Sequence, residues 1–174
     1  MPHPARLLAP QSLDDVLLYR LSRLLATAGG QVIRLCEGRF GITRREWRIL
    51  ALLAQRDRLL SSELAQLAQL DRPRTSKAIT SLVGKQLLER QPGPADRRQA
   101  ELALSPAGRA LYETLYPLVL EVNRELLAAL PQEQVGQLDG MLELLQQRAD
   151  AVMAAADLPK ADRRRGTSRQ PERR

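Results

Sequence analysis

From Ser12 onward, apolar residues recur every three or four positions: Leu13, Leu17, Leu21, Leu24, Ala28 and Leu35. With Ser12 as N-cap and Asp14 and Asp15 in the first turn, this predicts an amphipathic helix. Gly29-Gly30 weakens its middle and suggests a bend, and a break is expected at Glu37–Gly41. Thr43 followed three residues later by Glu46 is a capping box. The helix it opens carries Trp47, Leu50, Ala51 and Ala54 on one flank and Ile49 and Leu53 on another. Ser61-Ser62 starts a short helix over Glu63–Gln69, Leu70-Asp71 makes a turn, and Pro73 suits the first turn of a helix running to about Lys85. Gln86–Arg90 and Gln99–Leu104 then form two short strands around a polar Pro/Gly loop, with Ala100, Leu102 and Leu104 on one face. Ser105-Pro106 opens a long helix through Leu111, Leu115, Leu118, Val122 and Leu126, where Pro117 predicts a kink or break. After Pro131, the residues Val135, Leu138, Leu142, Leu145, Ala149 and Val152 follow a heptad seam.

This order of elements is that of a winged helix-turn-helix. The expected fold is mainly α with a small β wing. A DNA-binding lobe spans residues 41–104, and helical dimerisation arms span 12–40 and 105–156. Residues 1–11, with three prolines, form a flexible arm, and 157–174, charged and poor in apolar groups, form a disordered basic tail. The helical seams expose more apolar stripe than one small winged domain can cover, so a homodimer is expected.

Composition narrows the function. The chain has 174 residues, one cysteine, and one histidine, His3, in the Pro-bearing arm. An internal disulfide framework, a multi-cysteine zinc site and histidine-based catalysis are thereby excluded. No paired catalytic constellation, glycine-rich phosphate loop or metal-ligand spacing occurs, so a non-enzymatic protein without cofactor is expected. No run approaches eighteen apolar residues and no signal-peptide core is present, which predicts a soluble cytoplasmic chain without membrane contact. The formal charge is +7, but it is not spread evenly. Residues 72–98 hold seven cations against two anions, and the tail 160–174 holds the same balance. Such concentration suits a polyanion. On the helix running to about Lys85, Leu82, Ile79 and Val83 pack inward, which assigns Arg72, Arg74, Thr75, Ser76, Lys77, Thr80 and Ser81 to a face able to reach base edges and phosphates. Arg97 and Arg98 at the hairpin tip suit a minor groove, and Asp96 orients a neighbouring arginine.

The stretch Leu70-Asp71-Arg72-Pro73-Arg74-Thr75-Ser76-Lys77-Ala78-Ile79-Thr80-Ser81-Leu82 resembles the MarR family of bacterial transcriptional regulators. So do the wing Asp96-Arg97-Arg98, the start Leu104-Ser105-Pro106-Ala107-Gly108-Arg109, and Gly41–Leu50 with its Thr43-Arg44-Arg45-Glu46-Trp47 core. The last stretch is similar to members linked to catabolism of aromatic compounds. The resemblance spans about residues 12–155. It implies an obligate homodimer with interleaved first and last helices, bound to double-stranded DNA at a pseudo-palindromic operator. It also implies an anionic or phenolic effector between lobe and arms. The expected function is therefore a transcriptional repressor released by a small aromatic carboxylate or its CoA thioester. The alternative is an effector-independent architectural or anti-silencing DNA-binding protein. For the effector, Arg45 is the first candidate, because it lies about 200° around its helix from Trp47 and toward Ile49. Arg20 and Arg23 could approach the same junction, and Trp47 is a core residue or a ligand platform. Cys36, among Val32, Ile33 and Leu35, is taken as a buried apolar group rather than a peroxide sensor, with no second cysteine to resolve a sulfenic acid.

Overall fold

The computed structural model describes residues 5–92 and 100–156. Asp96, Arg97 and Arg98 of the expected wing tip and the basic tail 157–174 lie outside them.

The N-terminal arm is not wholly irregular: Ala5–Leu8 form a helical turn, α1. Arg6 anchors it, donating from Nε to the buried Asp15 carboxylate at 2.8 Å. Ser12 does act as an N-cap, but of a single 3₁₀ turn, Leu13–Asp15. Val16 is extended, and the long helix α2 begins only at Leu17, running to Ile33. Gly29-Gly30 does not interrupt it. Gly29 is where the Arg44 side chain packs: a Cβ there would lie 3.0 Å from its guanidinium. The chain then widens into a π-helical turn over Arg34–Arg39, and the break comes at the end of the expected range, at Phe40-Gly41. Gly41 supplies the left-handed residue, with φ +62°.

α3 spans Arg44–Gln55, α4 Ser61–Leu67 and α5 Arg72–Gly84. Between α3 and α4 sits a two-residue strand, β1 (Leu59–Leu60), too short to leave an alternating pattern in the sequence. β2 covers Leu88–Pro92 and β3 Ala100–Leu104, in a three-stranded antiparallel sheet with β3 in the middle. Leu88 pairs with Leu104 and Leu59 with Leu102. β2 starts two residues later than Gln86 because the end of α5 runs on. Gln86 is left-handed (φ +59°) and the Leu87 N–H donates to Leu82 O at 2.9 Å. Ile42, Ile49, Leu50, Leu53, Leu64, Leu82 and Leu115 form the fully buried centre of the core. Cys36 belongs to it, and burial, helped by Glu37, pushes its thiol above the ordinary range.

α6 runs from Pro106 to Leu127. Pro117 removes one ladder hydrogen bond without ending the helix, because buried Leu115 and the stacked Tyr112 and Tyr116 on its preceding turns hold it against α3. The chain divides into two compact units between Ala129 and Leu130. In the second, α7 (Gln132–Ala155) is a continuous helix; Met141, Leu142, Leu144, Leu145, Val152 and Met153 are all exposed. No helix among the described residues is long and apolar enough to cross a membrane.

Candidate nucleic-acid interface

α4 and α5 meet through a turn closed by the Leu70 N–H on Ala65 O at 3.0 Å, with Gln69 left-handed at φ +51°. Asp71 caps α5 by accepting from the Arg74 N–H at 2.8 Å, and Pro73 presets its first turn. Ala78, Ile79 and Leu82 turn into the core. That burial leaves Arg72, Arg74, Ser76, Lys77 and Thr80 exposed along one face. Two residues assigned to this face from the sequence do not lie on it. Thr75 is buried, and its hydroxyl donates back to Asp71 O at 2.9 Å. Ser81 is half-buried and hydrogen-bonds Glu46 of α3. A small polar residue on a helix satisfies the lobe as readily as it faces a ligand, and sequence alone does not separate the two. Arg74 also pairs with Asp71, Nε to Oδ2 at 3.3 Å. At this exposure the pair is worth little and leaves the guanidinium available.

Glu46 is the polar hinge of the lobe. Burial raises the carboxyl's pKa. Hydrogen bonds from Ser81, the Thr43 N–H (2.6 Å) and Lys85 Nζ (3.1 Å) more than offset this and hold it below the ordinary carboxylate range. Lys85 Nζ also donates to Gly41 O at 2.8 Å. The end of α5 is thus tied to the start of α3.

The effector candidates are not gathered in one place. Arg45 points to the α5 side, where it lines a recess with Arg74 and Lys77 rather than facing the arms. Arg20 and Arg23 line an open hollow with Arg6 and Asp14, and Arg23 pairs with Asp14 at 2.7 Å. Trp47 lies apart from both. Its ring stacks on Tyr112 (centroids 5.6 Å apart, planes 16° apart), and Tyr112 stacks on Tyr116 at 5.1 Å. Trp47 also walls a cavity of about 260 Å³ with Leu25, Gly29, Val32, Arg44 and Arg48. Arg48 Nη1 donates to Ala68 O at 2.7 Å, whereas Arg44 has no carboxylate partner among the described residues.

The family model described as MarR family matches residues 40–99. Among curated proteins, the homoprotocatechuate degradative operon repressor of Escherichia coli is 29% identical over 105 residues, covering 60% of this chain and 71% of that one. The transcriptional repressor CouR, solved bound to a 23-mer DNA duplex, is 25% identical; the match covers 78% of this chain and 96% of CouR, with a TM-score of 0.70. The lobe resembles MarR-family regulators. Its family match and fold point to a transcription regulator, and a probable transcriptional regulator from Pseudomonas aeruginosa has the same architecture at 27% identity (77% and 99% coverage, TM-score 0.68).

Sequence reasoning missed Arg44 and Lys85 of the lobe and the two stacked tyrosines of α6. Tyr112 and Tyr116 carried a usable signal, since residues four apart share a helix face and one aromatic pair is notable among so few. Arg44 carried none: adjacent to Arg45, it is distinguished only by which neighbour the helix turns it toward.

Proposed function

We propose that this chain is a homodimeric repressor that binds a pseudo-palindromic operator and is released by a small aromatic carboxylate. The observation that carries the DNA half is the exposed face Arg72, Arg74, Ser76, Lys77 and Thr80 at the start of α5, to which the sequence between β2 and β3 adds Asp96, Arg97 and Arg98. An N-terminal helix face of cations and small hydroxyls suits a major groove. The fold shared with the DNA-bound CouR supports that placement. In this reading the lobe is residues 41–104, and segments 12–40 and 105–156 dimerise. A second copy would cover the exposed apolar residues Leu18, Leu21 and Leu25 of α2 and the exposed face of α7.

For the effector half, the cavity beside Trp47 replaces the Arg45 site. It combines an apolar and aromatic wall with two arginines that have no carboxylate partner among the described residues, and of these Arg48 is engaged by Ala68 O, which leaves Arg44 for an anion. At about 260 Å³ it lies just below the ~300–1,000 Å³ of ordinary ligand clefts, which favours a single-ring acid. The homoprotocatechuate relative supports the same chemical class, and an effector cavity favours this reading over an architectural protein. A bound anion can release DNA only through its differential affinity for two spacings of the recognition helices, with ~1–3 kcal/mol of coupling.

Trp47 is the sole tryptophan, so its fluorescence reports the cavity. Titration with 3,4-dihydroxyphenylacetate and hydroxycinnamates is expected to change it. Arg44→Ala should weaken that binding roughly ten- to hundredfold through loss of a charged hydrogen bond, while DNA affinity without ligand stays the same. An unchanged ligand affinity in Arg44→Ala would move the anion elsewhere.

A further inference from the structure

Arg45 is left unused by the effector cavity, and its position suggests another role. Its side chain shares a recess of about 210 Å³ with Thr43 and Glu46 of the α3 start and with Arg74, Lys77 and Ser81 of α5. Three cations therefore face one another across a narrow space. The only carboxylate lining it is Glu46, and that charge is already met by Lys85, the Thr43 N–H and Ser81. Arg74 leans on Asp71. Arg45 and Lys77 have no carboxylate within salt-bridge distance among the described residues. The recess thus holds about two uncompensated positive charges, an arrangement that repels itself unless an anion enters.

We infer that Arg45, with Lys77, clamps one backbone phosphodiester of the bound duplex, so that the start of α3 is a second DNA-contacting element beside the recognition helix. The inference rests on the reading that α5 enters the major groove. A helix lying in that groove has the sugar-phosphate backbone along its edges, and the recess opens beside its exposed face. A phosphodiester presents two non-bridging oxygens and one charge, which a guanidinium fork meets bidentately and a lysine meets as a point charge. The contact positions the protein and carries no base information. A free phosphoester such as the phosphates of CoA has the same chemistry, so the test separates the two sources.

The experiment measures duplex affinity across a salt series for wild type, Arg45→Ala and Arg45→Lys, on a selected high-affinity duplex and on random-sequence duplex. Each phosphate contact contributes about 0.9 to the slope of log K against log[salt], so Arg45→Ala in a dimer should lower its magnitude by about two. Affinity should fall by a similar factor on both duplexes, and Arg45→Lys should restore most of it. The Trp47 response to 3,4-dihydroxyphenylacetate should not move. An unchanged slope would overturn the clamp, as would a loss confined to the selected duplex, which marks a base contact. A third arm adds CoA or inorganic phosphate at matched ionic strength. Inhibition of DNA binding that depends on Arg45 would assign the recess to a free phosphoester and overturn the assignment to DNA. Wild-type protein that binds no duplex would instead refute the DNA-binding function itself, a distinct outcome.

Discussion

Affinity for duplex DNA should fall by ~10³ or more between about 50 and 200 mM salt. The face of α5 exposes Arg72, Arg74 and Lys77, Arg45 stands beside it, and a dimer doubles all four. Arg97 and Arg98 add to the count if the hairpin reaches a groove. Neutralising six to ten phosphates releases that many condensed counterions, and the slope follows from the number released rather than from the contact energies. Chain-wide charge would mislead here. The formal +7 of one subunit includes a tail that is remote in sequence from the lobe, whereas the slope counts only cations that touch phosphate. The check is an anisotropy titration at four or five salt concentrations, and a flat profile would contradict the DNA-binding face.

Gly108→Ala should be strongly destabilising, because it jams the start of α6 against the sheet of the lobe. Gly108 sits in the first turn of α6, where a Cβ would lie 2.0 Å from Leu87 O. That carbonyl cannot retreat freely, since it accepts from the Ser105 N–H at 3.1 Å. Next to it, Ser105 Oγ donates to Gln86 O at 2.6 Å and accepts from the Gly108 N–H at 3.0 Å. Overpacking commonly costs ~1–3 kcal/mol, and with backbone as the obstacle the upper end or beyond is expected. For a chain of this size that is a fall of roughly 10 °C in Tm. Gly140→Ala in α7, with open space around its Cβ, serves as the control and should be neutral or slightly stabilising. Equal Tm values for Gly108→Ala and wild type would show that α6 can shift away from the sheet at little cost.

Much of this architecture was legible because it is written in short-range signals. The Thr43/Glu46 box, the Asp71-Arg72-Pro73 helix start and Ser105-Pro106 each fix a helix end by local hydrogen bonding, and each stands where the sequence put it. Errors arose where a long-range neighbour decides. Arg45 and Trp47 do face opposite sides of α3, as helical geometry requires. Which helix lies on each side is a tertiary fact, and the Arg45 side meets α5. Thr75 and Ser81 are polar and near the exposed arc, yet one closes the first turn of its own helix and the other serves buried Glu46. Pro117 allows a kink or a break, and α6 runs through it without breaking where Leu115 and the tyrosines pack. The aromatic cluster was overlooked for the opposite reason. Low aromatic content argues against a nucleic-acid stacking platform, but says nothing against three rings converging on one wall.

The central claim, a symmetric dimer that reads DNA through two copies of α5, is tested most directly by selecting bound duplexes from a random-sequence pool and sequencing them. The account predicts enrichment of a pseudo-palindrome whose half-site centres are about one helical turn apart, ~10 bp or 34 Å, with the dependence on sequence lost in Arg74→Ala. Retention of duplexes with no common sequence, or of an asymmetric single site, would contradict it.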